Sequence, residues 1–287
     1  MSAAARIHNI LMLNHLFRSQ FDEVDNSLEV EHVSVQMIKE LRQDRVSETW
    51  EGLFRGTTRC AIKTPKPNAS FDEFLQEAVL VSKLQHPNIL QVFGVCTSEE
   101  PYYIISELTE YGRLLDYLHG EGKAIRIHKL VDFAKQVATG MVYFVKHNFV
   151  HRDLAARNIR LGHNLVCKVT GFSLARQLTE GFYESQKDER FPIKWTSLEA
   201  AIYNKYSVKS DVWSFGVLLW EIITLGRIPY SGMTNPEVLE YVQQGNRLPQ
   251  PNDCPEELYH TMLDCWKDKP VERPTFETLQ LLCQLPL

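Results

Sequence analysis

Residues 151–158 read His-Arg-Asp-Leu-Ala-Ala-Arg-Asn, so a carboxylate (Asp153), a guanidinium (Arg157) and a carboxamide (Asn158) fall within six positions. A carboxylate can accept a proton from a hydroxyl, a guanidinium can steady an oxyanion, and a carboxamide oxygen can ligate a hard cation. Eighteen residues after Asp153 (171 − 153) stands Gly171-Phe172-Ser173, a triplet with no carboxylate. Upstream, Lys63 ends Cys60-Ala61-Ile62-Lys63, and Glu77 sits within Phe74-Leu75-Gln76-Glu77-Ala78.

The elements that must hold these groups follow from periodicity. From about Val35 to Glu107 the pattern is strand-rich. Trp50 to Lys63 predicts a hairpin turning at Arg55-Gly56. Ser70-Phe71-Asp72-Glu73 is a capping box that opens a helix with Phe74, Leu75, Ala78, Val81 and Leu84 on its apolar face. Ile89–Val95 and Tyr102–Ile105 predict two further strands. After Gly112 the chain turns helical, with long buried helices over Lys129–His147 and Asp211–Thr224. Amphipathic helices are predicted over Asn235–Gln244 and Glu256–Trp266. Ile7, Ile10, Leu11, Leu13, His15 and Leu16 could form one short amphipathic helix near the start.

Composition narrows the classes. The 287 residues, 44% hydrophobic, suffice for one two-lobed domain or two small ones. A net charge of −5 gives no reason to expect nucleic acid as a partner. Six cysteines, at 60, 96, 167, 254, 265 and 283, form no CxxC pair, which fits a reducing compartment and a cytoplasmic location. The apolar run Ile10–Leu13 is too short to span a membrane. Residue 2 is Ser, not Gly, so an N-myristoyl anchor is not expected.

His151–Asn158 resembles the catalytic loop of protein-tyrosine kinases, in the Ala-Ala-Arg form that separates them from serine/threonine kinases. The resemblance runs from about Leu28 to Leu282 and is nearest to the Src and Fyn-related non-receptor tyrosine kinases. It implies an α+β, two-lobed protein-kinase fold. The small β-rich N-lobe with one helix would span 28–107, the hinge 108–112, and the larger, mainly α-helical C-lobe 113–287. Residues 1–27 would be a poorly ordered extension. Leu28-Glu29-Val30 resembles the start of a kinase domain after an SH2 linker. No SH2 or SH3 domain precedes it and no regulatory tail tyrosine follows, so Src-type autoinhibition is not expected.

By that resemblance, Asp153 is the base, Arg157 stabilises the transferring phosphoryl and Asn158 holds a metal. Lys63 grips phosphate and pairs with Glu77. Ala61, Glu107 and Thr109 would contact the nucleotide base. Tyr183, eight residues before Phe191 (191 − 183), would be a phosphosite meeting Arg152. Phe191–Trp195 would be the platform for a tyrosine substrate. Asp211 would brace the catalytic loop and Glu199 would pair with Arg273. Val81, Val92, His151 and Phe172 would stack between the lobes.

Three parts of the same pocket depart from the pattern. The glycine-rich loop aligns with Leu41–Trp50, and its glycine positions hold Arg42, Asp44 and Ser47. The valine and leucine that sandwich adenine are Thr49 and Arg160. Desolvating a guanidinium there costs several kcal/mol unless it is paired, against about 8 kcal/mol for a whole micromolar ligand. Gly171 stands where the Mg²⁺-binding aspartate belongs, and Ser173 where the motif has its glycine. Ser197-Leu198-Glu199 replaces Ala-Pro-Glu, a milder change. Arg160 is predicted to point into the cleft and pair with Asp116 or Glu107. Ser106, a small gatekeeper before the hinge, leaves the back pocket open.

The expectation is a pseudokinase: a protein-binding or allosteric regulator in tyrosine-kinase signalling that takes no cofactor. Its partners would be active tyrosine kinases or tyrosine-containing proteins. The alternative is a weakly active non-receptor tyrosine kinase using ATP and Mg²⁺.

Overall fold

The structure is a computed structural model that describes residues 28–185 and 191–282. The expected N-terminal extension and its short helix lie outside these residues.

The first lobe is built on a five-stranded sheet of order β1-β2-β3-β5-β4. Its strands are β1 (Val35–Gln43), β2 (Ser47–Phe54), β3 (Thr58–Pro65), β4 (Val92–Cys96) and β5 (Tyr103–Glu107). β2 and β3 form the expected hairpin, with Trp50 opposite Ile62 and Phe54 opposite Thr58. It turns through Arg55 and Gly56 at φ of 51° and 75°. Glycine takes that left-handed conformation without a Cβ clash.

Helix α1 (Phe71–Ser82) lies across the sheet. Only half of the predicted capping box forms. The Ser70 hydroxyl accepts the Glu73 N–H at 3.3 Å, while the Glu73 side chain stays exposed. The helix ends at Ser82, so Leu84 enters the core from the following turn, fully buried. The strand expected from Ile89 begins only at Val92. Ile89 instead bridges to Val169 of the second lobe, and the Asn88 carboxamide donates to the Cys167 carbonyl at 3.0 Å. Those contacts draw this segment out of the sheet and tie the lobes together.

A short strand β6 (Gly112–Arg113) leads into the helical lobe, with α2 (Leu114–Glu121), α3 (Ile127–Lys146) and α5 (Val208–Ile223). Helix α4 (Leu198–Tyr203) precedes α5; α6 (Asn235–Gln243), α7 (Glu256–Cys265) and α8 (Phe276–Leu282) follow it. Every residue of α5 from Ser210 to Ile223 is buried. A helix apolar nearly all round must sit inside a core, and α5 packs against α3, α7 and the catalytic loop. Two strand pairs and a three-stranded sheet surround that loop. β7 (Phe149–Val150) pairs with β10 (Arg176–Gln177), and β11 (Tyr183–Glu184) with β12 (Lys205–Tyr206). β8 (Ile159–Leu161) lies between β6 and β9 (Cys167–Val169). Cys60, Cys96, Cys167, Cys254 and Cys265 are buried thiols spread over both lobes. Among the described residues no helix is long and apolar enough to cross a membrane.

Candidate active site

The catalytic loop runs between β7 and β8 and is pinned by one carboxylate from α5. Asp211 accepts the backbone N–H of His151 at 2.7 Å and of Arg152 at 2.9 Å. Burial pushes the Asp211 carboxyl up to about 7, against the opposing pull of those two N–H donors. His151 is fully buried and uses both ring nitrogens. Nδ1 accepts the Asp153 N–H at 3.2 Å, which leaves the proton on Nε2 to be donated to the Thr170 carbonyl at 2.8 Å. Burial holds its pKa below the usual value, in keeping with a neutral ring. The rings of Phe144, His151 and Phe172 stack on one another within 6 Å, and Val81, Val92 and Phe172 share one apolar core. The expected inter-lobe stack is thus assembled.

The three chemical groups of the loop bind one another. Arg157 pairs with one Asp153 oxygen. The Asn158 carboxamide nitrogen donates to the other at 2.6 Å and to the Asp153 carbonyl at 2.8 Å. The Arg157 guanidinium lies 4.2 Å over the Trp195 ring. Glu221 fixes both sides of this contact: its Oε2 accepts the Trp195 indole N–H at 2.9 Å and the Ala156 N–H at 3.0 Å. Burial pushes this carboxyl, too, up to about 7. Glu221 was not singled out in the sequence. Its signal was a lone acid in the otherwise apolar run Val217–Ile223.

Across the cleft, Lys63 on β3 and Glu77 on α1 form an ion pair of 2.6 Å. A cleft of about 760 Å³ lies between the lobes, and Lys63, Glu77, Ala61, Glu107, Thr109, Arg157 and Asn158 all line it. Arg42, Asp44, Ser47, Thr49, Arg160 and Gly171 line the same cleft. The degenerate positions therefore converge in one space.

The loop at Arg42–Ser47 is a tight turn. The Asp44 N–H donates to the Ser47 carbonyl at 2.8 Å, and Arg42 pairs with Asp44. None of the three former glycine positions takes a positive φ. The Asp44–Ser47 bond closes the hairpin between β1 and β2. Gly171 does need its missing side chain. Its φ is 81°, and a Cβ built there would lie 2.5–2.8 Å from the carboxamide atoms of Asn158. The Asn158 amide lies where a side chain at 171 would begin.

Arg160 lines the cleft as predicted, but the predicted ion pair does not form. Asp116 is held by Arg113, at 2.6 and 2.7 Å, and Glu107 by Lys168 at 2.8 Å. Among the described residues no carboxylate reaches ion-pair distance of Arg160. Burial, then Arg42 and Arg113, hold its pKa below the usual value.

Tyr183 and Arg152 do meet. The Arg152 guanidinium lies 4.9 Å from the Tyr183 ring and 4.1 Å from that of buried Tyr206, while Arg176 lies 5.9 Å from Tyr183. The platform residues Phe191 and Trp195 are tethered, by edge contact with Tyr206 and by the Glu221 bond respectively. Glu199 and Arg273 make a two-pronged pair of 2.7 and 2.9 Å deep in the lobe. Burial pushes the Glu199 carboxyl up, but the Arg273 guanidinium outweighs it and holds the pKa below the usual value.

Residues 35–282 match the family described as protein tyrosine and serine/threonine kinase. Tyrosine-protein kinase SRK3 of Spongilla lacustris is 51% identical over 258 residues, covering 89% of this chain and 77% of that protein. The chain belongs to the protein tyrosine kinases. Tyrosine-protein kinase SRK2 of the same sponge is 49% identical over 88% of this chain and 70% of its own length. The human tyrosine-protein kinase FRK is 48% identical over 88% of the chain, which spans about half (51%) of FRK. The two-lobed kinase architecture is thus established by both fold and family.

Tyrosine kinases work with ATP and Mg²⁺. The groups of this kinase domain do not fit a metal at its usual corner. Gly171 brings no donor, and the Asn158 carboxamide is turned onto Asp153 and crowds the Gly171 side. Among the described residues no three His, Cys, Asp or Glu side chains cluster as metal ligands elsewhere.

Proposed function

We propose that this kinase domain is a pseudokinase: phosphoryl transfer is lost or severely impaired, and the fold serves to bind and regulate proteins of tyrosine-kinase signalling. The observation that carries this reading is the closed corner at Asn158 and Gly171. Neutralising the transferring group with metal is a main part of phosphoryl-transfer catalysis, and here the ligand is missing and its room is filled. The partners would be active tyrosine kinases or tyrosine-containing proteins meeting the platform around Phe191 and Trp195. Phosphate on Tyr183 would lie near both Arg152 and Arg176 and order the segment through charge-assisted bonds. Buried thiols favour a reducing, cytoplasmic setting.

A second reading, a weak tyrosine kinase, is favoured by the 2.6 Å Lys63–Glu77 pair and by the gathered Asp153, Arg157 and Asn158. Transfer of radiolabelled γ-phosphate to poly(Glu,Tyr) separates the two. The pseudokinase reading expects no transfer above that of Asp153→Asn. Transfer that Asp153→Asn abolishes would overturn it.

A further inference from the structure

The three-stranded sheet beneath the cleft carries cations side by side. In the register of β6, β8 and β9, Arg113 lies opposite Arg160, and Arg160 opposite Lys168. Residues directly opposite in adjacent strands share a face, and like charges placed so repel. The two outer cations are neutralised, Arg113 by Asp116 and Lys168 by Glu107. The other cations around the cleft are matched as well: Arg42 with Asp44, Lys63 with Glu77, and Arg157 with Asp153, while the exposed Glu110 meets the His163 ring at 3.1 Å. Glu73 is exposed at the start of α1, near the far end of the cleft. The central cation is left without a carboxylate among the described residues, half-buried in a cleft of about 760 Å³.

A half-buried guanidinium flanked by two cations is costly unless an anion meets it. The rest of the lining says which anion. Ala61, Leu90, Val92, Ile104 and Phe172 add apolar side chains to the lining of the cleft. One cation without a carboxylate partner is neutralised by one negative charge, and a dianion would leave a second buried charge unpaired. A planar guanidinium fork matches a carboxylate through two parallel bonds.

We propose that the former nucleotide cleft is a binding site for an aromatic monocarboxylate, whose carboxylate pairs with Arg160 and whose ring packs against the apolar lining. The site needs no metal. The proposal rests on the reading that this cleft does not take Mg²⁺–ATP, and each has its own arm in the test.

The test is thermal unfolding and calorimetry of the full chain with 2-naphthoate, its neutral analogue 2-naphthamide, adenosine, and ATP with Mg²⁺ or EDTA. Naphthoate should raise Tm and naphthamide should not. Arg160→Leu should weaken naphthoate binding by about tenfold or more, the scale of a lost hydrogen bond to a charged group. Arg160→Leu should also gain a shift with adenosine. Arg160→Gln, which keeps polar bulk, serves if Arg160→Leu does not fold, and should show the same loss. The proposal is overturned by no naphthoate shift at millimolar concentration, by equal shifts with naphthamide, or by naphthoate binding unchanged in the Arg160 variants. A Mg²⁺-dependent ATP shift in the unaltered chain would overturn the pseudokinase reading instead, and the naphthoate arm would still decide the anion site.

Discussion

Substituting Gly171→Asp restores the carboxylate of the family motif and should destabilise this chain without restoring its chemistry. The backbone at 171 has φ of 81°, where a residue with a Cβ costs about 1–2 kcal/mol, and Asp is among the better tolerated. The new Cβ would lie 2.5 Å from the Asn158 Cγ, so the carboxamide must withdraw. That withdrawal breaks its bonds to the Asp153 carboxylate and carbonyl, at 2.6 and 2.8 Å. Each contributes about 0.5–1.5 kcal/mol net. The sum is about 2–5 kcal/mol, and with roughly 2 °C of Tm per kcal/mol for a chain of this size, the expected fall is about 4–10 °C in EDTA. Under the proposed reading, transfer to poly(Glu,Tyr) should stay at the background level, because Arg42, Asp44 and Arg160 still line the cleft. Differential scanning calorimetry and the radiolabel assay read the two halves separately. An unchanged Tm would refute the claim that Asn158 occupies the aspartate's room. Robust tyrosine phosphorylation by this single variant would refute the claim that three lesions act together.

The buried acids set a pH dependence. Asp211 and Glu221 have folded-state pKa values raised to about 7, so between about pH 4 and 7 the folded chain binds more protons than the unfolded one. Stability should therefore fall as pH rises from about 4 to 7, and Glu221→Gln should flatten that slope, since one oxygen takes both its N–H partners. Denaturant midpoints across that range check it; a rise with pH would contradict the assignment. Glu199→Gln should cost about 3–5 kcal/mol, because it strands the buried Arg273 guanidinium; a loss under 1 kcal/mol in urea unfolding would show the pair to be dispensable. Tyr183→Ala should cost about 1 kcal/mol through the lost contact with Arg152, while Tyr183→Phe keeps the ring and should cost about half a kcal/mol or less. Equal losses would assign the effect to the hydroxyl.

The catalytic loop was legible because its groups are contiguous: once His151–Asn158 is read, its brace on Asp211 and the inter-lobe stack through Phe172 follow. The hairpin at Arg55-Gly56 and the long buried helices were legible too, through turn chemistry and apolar period. What sequence could not supply was who neutralises whom across strands. Asp116 and Glu107 were plausible partners for Arg160 only while Arg113 and Lys168 were unplaced. The i,i+3 spacing of Arg113 and Asp116 was readable as a local pair. Lys168 beside Arg160 depends on the register of β8 on β9, which sequence alone does not show. The Ile89 segment was missed for a related reason, since its extended backbone pairs with Val169 of the other lobe and not with the sheet.

The buried thiols also make the molecule its own reporter of partial opening. Burial pushes the Cys60 thiol up to about 11 and Cys96 up to about 12 in the first lobe, and Cys254 up to about 11 in the second. A protonated, covered thiol does not react with an alkylating reagent, so each one is silent until its surroundings part. With Cys283, which lies outside the described residues, replaced by serine, the order in which cysteines become labelled would time the lobes against each other. Early labelling at 60 and 96 would mean that the sheet opens as a unit while the helical lobe holds. Simultaneous labelling would mean that the Ile89–Val169 bridge and the Phe172 stack make the two lobes a single cooperative body.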